Sequence, residues 1–297
     1  MLRLLKQKKR MRRTFAIRRM ARGLGLWEPP VAENLIVSFT SFPARIERVH
    51  RVVQSLLNQS LQPRKIVLYL SDHEFAADSV PQRLARLEDG RFEIRFVGEN
   101  LRSYNKLLFA MVDFPTAWIA TFDDDRLYPV HTLATLWKAA ARNPSVIICS
   151  GGRRMVVHDG HFATYREWPI VQSPEPSFWV LPLGGFGVLY PPGSLNPVIG
   201  DRSLIRELAP LNDDIWFKAM SLTQGVPCSA IGGAYLMPPL KFKSNTTLSK
   251  LNRDGRGQDI ALRQVFERFG LTVDAILAKE ARLHSEPRPK ALGLPVL

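Results

Sequence analysis

Short apolar runs alternate with amphipathic segments along the first half of the chain. The run at residues 35–40 is too short for a helix and rich in Ile and Val, which predicts a strand. Apolar residues then recur at three- and four-residue spacing, which predicts a helix ending near Asn58. The same alternation predicts strands at 65–70, 92–97, 118–122 and 146–149, and helices around Leu84 and Leu87, at 106–112 and at 133–141.

This series predicts an α/β fold, a mainly parallel sheet flanked by helices, because parallel strands need helical crossovers. Sheets of this kind bind ligands at the carboxyl ends of their strands. The amino-acid composition changes at residues 151–200, where Pro, Gly and aromatic residues predict a loop-rich region that shapes a second pocket. Helices are predicted again at 213–222 and 259–269, with an apolar stretch near Ile231 and a basic, glycine-rich loop at 241–257 between them.

These patterns divide the chain into a basic segment at 1–30, a single α/β domain at 31–275 and a C-terminal tail at 276–297, whose Pro-rich end after Glu286 is expected to be loose. Within the domain, residues 31–150 form the sheet-building half and residues 151–275 the loop-rich half. Length and composition agree with one large domain, since 45% of the 297 residues are apolar and 23% charged.

The charge is concentrated at one end of the chain. Residues 1–23 carry ten Lys and Arg and no acid, so removing them from a net charge of +14 leaves +4. Such a segment either lies as a basic amphipathic helix on an anionic membrane surface or is a solvated tail. A nucleic-acid-binding protein would spread its cations over the folded domain, so no nucleic-acid partner is predicted.

No apolar run approaches the roughly 20 residues that span a bilayer, and the charges interrupt any signal-peptide core. We therefore expect a cytoplasmic protein that can be peripheral on the inner face of the membrane. Cys149 and Cys228 lie in or beside apolar stretches and are interpreted as core residues.

An acidic cluster follows the strand predicted at 118–122. Asp123, Asp124 and Asp125 would emerge at the carboxyl edge of the sheet, where ligands bind. Adjacent carboxylates repel one another unless a cation compensates, which favours Mn²⁺ or Mg²⁺ bridging to phosphate oxygens. The alternative is a solvated acidic turn.

A second acidic pair, Asp213 and Asp214, begins a predicted helix. Acids are favoured in a first helical turn, but one of the two could also be the general base that deprotonates an acceptor hydroxyl. Upstream, a glycine-rich stretch that includes Gly185 and Gly187 permits close approach of a ligand, or forms a turn between strands.

Several motifs resemble, in order, those of family-2-like GT-A glycosyltransferases of the bacterial surface-polysaccharide type. The motifs are the opening LIVSFTSFPARIERVHRVVQSLLNQS from residue 35, SYNKLLFA from 103, TFDDD from 121, GGFGVLYPP from 184 and NDDIWFKAM from 212. The resemblance covers residues 35–270. It implies a hexosyltransferase that moves a sugar from a UDP- or GDP-sugar to a glycan or lipid-linked acceptor.

The resemblance also implies roles for matching residues. Donor binding falls to Thr40, Phe42, Arg45, Asp72, Tyr104, Lys106, Asp123 and Asp124, with the first two and Asp72 at the base, Asp124 at the ribose and Lys106 at the phosphates. Asp125, with Asp123, holds the metal, and Asp213 or Asp214 is the base of an inverting reaction. A retaining reaction stays open, because the sequence locates these acids along the chain and not in space. Gly185, Gly187, Trp168 and Trp216 form the acceptor side, although the two tryptophans could equally be core aromatics.

The sequence departs from the family in lacking a clear late histidine at the metal, so Asp125, the diphosphate and water would hold the ion. A nucleotidyltransferase is the alternative enzyme class. Such enzymes usually carry a glycine-rich loop after the first strand, and residues 41–45 contain no glycine.

Overall fold

The computed structural model describes residues 2–26, 28–240 and 256–285. The described chain forms two compact units. The first comprises residues 2–138 and 233–240, and the second residues 139–232 and 256–285.

The first unit is built on four parallel strands in the order β4-β1-β2-β3. They are β1 (Val31–Thr40), β2 (Gln62–Ser71), β3 (Phe92–Val97) and β4 (Trp118–Thr121). Its helices are α1 (Leu2–Gly23), α2 (Pro43–Leu57), α3 (Gln82–Ala85), α4 (Asn105–Asp113) and α5 (Thr132–Arg142), the last of which contains the division between the units. The apolar runs of β1 and β2 are buried because helices cover such parallel strands on both faces.

Register brings the carboxyl ends of the central strands to one edge. Ser38 of β1 lies opposite Thr121 of β4, and Thr40 lies opposite Tyr69 of β2. Helix α2 starts only two residues after β1, with Pro43 in its first turn, where the missing N–H costs nothing. Residues that directly follow β1 and β4 are therefore neighbours.

The second unit contains strands in the order β10-β13-β5-β12, of which β13 and β5 are parallel and the outer pairs antiparallel. They are β5 (Ile147–Cys149), β10 (Ser173–Ser177), β12 (Val188–Tyr190) and β13 (Cys228–Ala230). Shorter strands form two small antiparallel sheets: β6 (Gly152–Arg154), β9 (Ile170–Val171) and β11 (Val180–Pro182) in one, β7 (Val157–His158) and β8 (His161–Phe162) in the other. The helices are α6 (Arg202–Leu208), α7 (Asp213–Gln224), α8 (Arg256–Arg268) and α9 (Val273–Ser285).

The predicted α/β fold, with a mainly parallel sheet flanked by helices, is confirmed. Every strand predicted up to residue 149 is present, and the helix predicted near residues 84–87 is a single turn. The stretch 151–200 contains strands of two to five residues and 3-10 turns, so it is less irregular than expected.

Helix α9 was not predicted. Its residues 276–285 were assigned to the C-terminal tail, yet Ile276 is fully buried. Residues 286–297 of that tail and residues 241–255 of the basic loop predicted at 241–257 lie outside the described residues, and residues 256 and 257 begin α8. Among the described helices, none is long and apolar enough to cross a bilayer.

Candidate functional site

The acidic cluster lies in a tight turn at the end of β4. The strand ends at Thr121, and the N–H of Phe122 still donates to the Ser38 carbonyl of β1. The Tyr128 hydroxyl closes the turn, since it accepts from the Asp123 N–H at 2.9 Å and donates to the Asp123 carbonyl at 3.0 Å. The three carboxylates therefore sit at the carboxyl edge of the first unit's strands, as the sequence predicted.

Asp124 is bound by two residues that follow β1. Ser41 Oγ donates to Asp124 Oδ2 at 2.6 Å, and Arg45 Nη1 lies 2.5 Å from Asp124 Oδ1. Asp124 is only 4% exposed, so its carboxylate is directed to these partners. The ribose contact expected of Asp124 would therefore have to compete with Ser41 and Arg45.

Arg45 connects several predicted donor residues. Its Nη1 also lies 3.3 Å from Asp125 Oδ2, and its guanidinium lies 5.2 Å from the centre of the Phe42 ring. Burial alone would lower the pKa of Arg45, but the carboxylates of Asp124 and Asp125 outweigh burial and raise that pKa. A permanent positive charge is thus fixed beside the acidic cluster.

Lys106 occupies the other side of the cluster. This residue is 3% exposed, and its Nζ donates to Asp123 Oδ1 at 2.8 Å. Its carbonyl accepts from Ser38 Oγ, which fixes the start of α4 against β1. Tyr104, immediately before α4, is fully buried, so its ring belongs to the core of the unit.

The three carboxylates differ in proton affinity. Burial raises the pKa of Asp124 to about 6, despite the opposing effects of Arg45 and Ser41. Burial and the neighbouring Asp123 raise the pKa of Asp125. For Asp123 the burial effect is outweighed by Lys106 and Arg45, which lower its pKa. An added cation would therefore relieve the repulsion between Asp123 and Asp125.

One oxygen of Asp125 fits a metal ion. Asp125 Oδ1 is buried and accepts no hydrogen bond, and Nε of Arg126 lies 3.8 Å away. Within the described chain, no three His, Cys, Asp or Glu side chains are grouped so that they could hold a metal. The carboxylates of the acidic turn therefore suit an ion such as Mg²⁺ or Mn²⁺, which takes one or two carboxylates and completes its coordination shell with phosphate and water.

A later chain segment, residues 238–240, pairs with the backbone around Asp125, and this pairing was not predicted. Leu240 N donates to the Asp125 carbonyl at 2.6 Å, and Leu127 N donates to the Pro238 carbonyl at 3.1 Å. Such backbone pairing over more than a hundred residues has no sequence signal.

The remaining donor residues lie at neighbouring strand ends. Thr40 Oγ1 donates to the Tyr69 carbonyl at 2.8 Å, so this hydroxyl joins β1 to β2. Asp72 follows β2 directly and is exposed, with His73 Nε2 3.7 Å from its carboxylate. Both positions face the same strand edge as the acidic cluster.

In the second unit, the acidic pair Asp213 and Asp214 contacts the glycine-rich stretch that begins at Gly184. Asp213 and Asp214 form the first turn of α7, and Asp214 Oδ1 accepts from Gly184 N at 3.0 Å. Asp213 is 9% exposed, whereas Asp214 is half-buried. In the turn that Asp214 fixes, Gly185 is half-buried and Gly187 has a φ of 91°, a conformation that favours glycine.

Trp168 and Trp216 are core residues. Both are fully buried, and their indole N–H groups donate to the carbonyls of Ala163 and Ile199. A sugar-stacking platform needs an accessible ring face, so the acceptor role suggested for these two residues is wrong in this structure.

Arg153 and Tyr165 were missed by sequence reasoning. The Arg153 guanidinium lies 4.9 Å from the centre of the Tyr165 ring, and Tyr165 N donates to Asp259 Oδ1 at 2.7 Å. Burial, followed by the charge of Asp214, raises the pKa of Tyr165 to about 12. A neutral phenol, itself in contact with the Arg153 cation, thus belongs to the electrostatic surroundings of Asp214.

No protein-family model matches the chain, and no curated protein is similar to it in sequence. Solved structures do show similarity. The mannosyltransferase PcManGT from Pyrobaculum calidifontis, in complex with GDP-Man and Mn²⁺, is 14% identical over 95% of this chain and 80% of that chain, with a TM-score of 0.48. TarS from S. aureus, in complex with UDP, is 12% identical over 72% of this chain and 59% of that chain, with a TM-score of 0.42.

A third similar structure is the 4-diphosphocytidyl-2C-methyl-D-erythritol synthase from Anaerococcus prevotii. It is 11% identical over 77% of this chain and 99% of that chain, with a TM-score of 0.40.

Proposed function

We propose that the protein is a metal-dependent glycosyltransferase that uses a nucleotide-sugar donor. The observation that carries the proposal is the acidic turn after β4, where Asp125 presents a buried oxygen without a hydrogen bond beside two fixed cations. Carboxylate and cations in one turn suit a ligand that carries both phosphates and a divalent ion.

The donor would be held along the strand edge of the first unit. Thr40, Phe42 and Asp72 would contact the base, while Arg45 and Lys106 would face the diphosphate. Both cations pair with carboxylates of the cluster, so they are positioned before the donor arrives. Their charges would stabilise the negative charge that develops on the departing nucleoside diphosphate.

Asp125 would hold Mn²⁺ or Mg²⁺ together with the donor phosphates. The bound ion would act as a Lewis acid on the leaving diphosphate. Asp124 accepts one hydrogen bond from Ser41 and one from Arg45. Ser41 would therefore fix the Asp124 carboxylate, and this carboxylate would keep the Arg45 guanidinium in place.

Asp213 or Asp214 would be the general base for the acceptor hydroxyl of a glycan or lipid-linked acceptor. A carboxylate base in this role gives an inverting reaction. Asp214 is the more exposed of the two, and its contact with Gly184 would tie the base to a glycine turn that an acceptor can approach.

The test is calorimetric titration with UDP and GDP, with and without Mn²⁺, on wild type and Asp125→Asn. We expect Mn²⁺-dependent binding of one nucleotide that weakens at least tenfold in Asp125→Asn. The exposed Asp78→Asn is the matched control and should bind as wild type does. If Asp125→Asn binds each nucleotide as tightly as wild type does in the presence of Mn²⁺, the metal site is refuted.

Transfer assays then separate binding from catalysis. Asp213→Asn and Asp214→Asn should both retain nucleotide affinity, while the variant that lacks the base loses a hundredfold or more in kcat.

The alternative is a nucleotidyltransferase. It is disfavoured because only two residues, without glycine, connect β1 to α2. Release of pyrophosphate from nucleoside triphosphates would favour it.

A further inference from the structure

Helix α1 has an inward and an outward face. Met11 is 8% exposed, and Gln7 Nε2 donates to the Leu236 carbonyl of the same unit. The half-buried residues Thr14, Phe15 and Arg18 lie on this face too, since they follow Met11 at helical spacing. The inward face therefore holds the helix on the first unit.

The outward face combines charge and apolar surface in an ordered way. Its amino-terminal half carries the exposed cations Lys6, Lys9, Arg10 and Arg13. Its carboxyl-terminal half carries Ile17 and Met20, and Leu24 follows in the turn that ends the helix, where its N–H still donates to the Met20 carbonyl. These three residues stand at i, i+3 and i+7, with exposed fractions of 67%, 68% and 66%. Leu26, just beyond the helix, is 76% exposed. Large apolar side chains at such exposure, aligned on one helix face, mark an interaction surface.

We propose that this outward face docks on an anionic lipid bilayer. The four cations would pair with lipid phosphates, and the apolar side chains would enter the boundary between headgroups and acyl chains. Charge complementarity selects the occupant, because residues 1–23 carry ten cations and no acid. The exposed apolar residues favour a bilayer over a nucleic acid as the partner, since Ile, Met and Leu contribute little to phosphate-backbone binding.

The helix would lie in the membrane interface rather than cross it, since none of the described helices could span a bilayer. Docking through the outward face leaves the contacts of Gln7 and Met11 intact. The proposal is independent of the glycosyltransferase activity and can be tested without any substrate.

Two variants of the full chain dissect the surface. The helix-apolar variant replaces Ile17, Met20 and Leu24 with Gln, and the helix-charge variant replaces Lys6, Lys9, Arg10 and Arg13 with Gln. The matched controls alter exposed residues elsewhere. The domain-apolar variant replaces Ile170, Ile260 and Leu277, and the domain-charge variant replaces Lys138, Arg263, Arg268 and Arg282, all with Gln.

Binding is measured by flotation with vesicles of phosphatidylcholine alone and of phosphatidylcholine mixed with phosphatidylserine. Wild type should bind only the mixed vesicles. The helix-charge variant should lose about fivefold in affinity per cation, and the helix-apolar variant about tenfold in total. Both domain variants should bind as wild type does, and circular dichroism checks that all variants are folded.

Three outcomes would overturn the proposal. Wild type could fail to bind the mixed vesicles, or the helix-apolar variant could bind them as tightly as wild type, which would mean adsorption by charge alone. Tighter binding of wild type to poly-uridine RNA than to the mixed vesicles in 150 mM salt would identify a nucleic acid as the partner instead.

Discussion

Lys218 is a buried cation whose position the proposed chemistry does not explain. It lies on α7 and is 1% exposed, with its ammonium 3.7 Å from Sγ of Cys228. Burial lowers the pKa of Lys218, and the thiol of Cys228 only partly opposes this effect. The residue therefore costs stability whenever it is charged.

Replacing Lys218 with Met should stabilise the protein. The pKa in the folded state is below its usual value, so between the two values the unfolded chain binds more protons and stability rises with pH. Below the folded-state pKa the penalty is fully present. Lys218→Met should raise the free energy of unfolding by roughly 1–3 kcal/mol at pH 7 and remove this rise towards alkaline pH.

Urea denaturation between pH 7 and 10 measures both effects. The exposed Lys138→Met is the control and should leave the stability and its pH dependence nearly unchanged. A Lys218→Met variant less stable than wild type at pH 7 would show that the ammonium has a stabilising role in the core.

At single positions, the sequence could predict where acids lie but not what they contact. Asp123–Asp125 were located because an apolar strand precedes them, and Asp213 and Asp214 because an amphipathic helix follows. The pairing of Arg45 with Asp124 joins residues 79 positions apart, and the periodicity of one segment carries no information about such partners. The same limit explains why the sequence left Trp168 and Trp216 undecided between the acceptor side and the core.

Among the helices, α9 shows how one side chain attaches a whole element. Glu280 Oε1 accepts from Ser177 Oγ and Oε2 accepts from Phe178 N, both at 2.7 Å. Ser177 ends β10, so the carboxylate joins the helix to a strand of the same unit. Charged acceptors make such bonds stronger than neutral ones.

Glu280→Ala should therefore release α9. Both hydrogen bonds are lost and the Phe178 N–H is left without its acceptor, so we expect a loss of about 2–4 kcal/mol in the free energy of unfolding. Hydrogen exchange should accelerate most along α9. Glu280→Gln, which keeps one acceptor oxygen, should lose about half as much.

The neighbouring exposed His284→Ala serves as the control for changes on α9. Its ring lies 3.6 Å from Glu280 Oε1 but is 61% exposed, so it should cost less than about 1 kcal/mol. Unchanged exchange along α9 in Glu280→Ala would show that apolar contacts such as that of Ile276 suffice to hold the helix.

For the elements as a group, prediction succeeded where the pattern was long and periodic. The strands of the first unit and α2 were predicted because uninterrupted apolar runs and three- and four-residue spacing are local properties. The strands between residues 152 and 182 have two to five residues, too few for a period to be recognised. Helix α9 has a weak apolar pattern, and the hydrogen bonds of Glu280 to Ser177 and Phe178 leave no periodic signal in the sequence.

For the molecule as a whole, the distribution of charge matters more than its sum. The chain has a net charge of +14, and the first 23 residues account for ten of these charges. A polyanion should accordingly be bound through α1 and only weakly through the remainder of the chain. Two variants with equal net charge can test this, because the helix-charge and domain-charge variants each lose four cations.

On a heparin column the helix-charge variant should elute at clearly lower salt than wild type, whereas the domain-charge variant should elute close to wild type. The reason is that release of counterions depends on the cations in simultaneous contact with the polyanion, and Lys6, Lys9, Arg10 and Arg13 share one face of α1. Equal shifts of the two variants would mean that the net charge of the molecule governs binding. In that case the basic helix would have no separate role, and an anionic partner would bind the remaining surface of the two units.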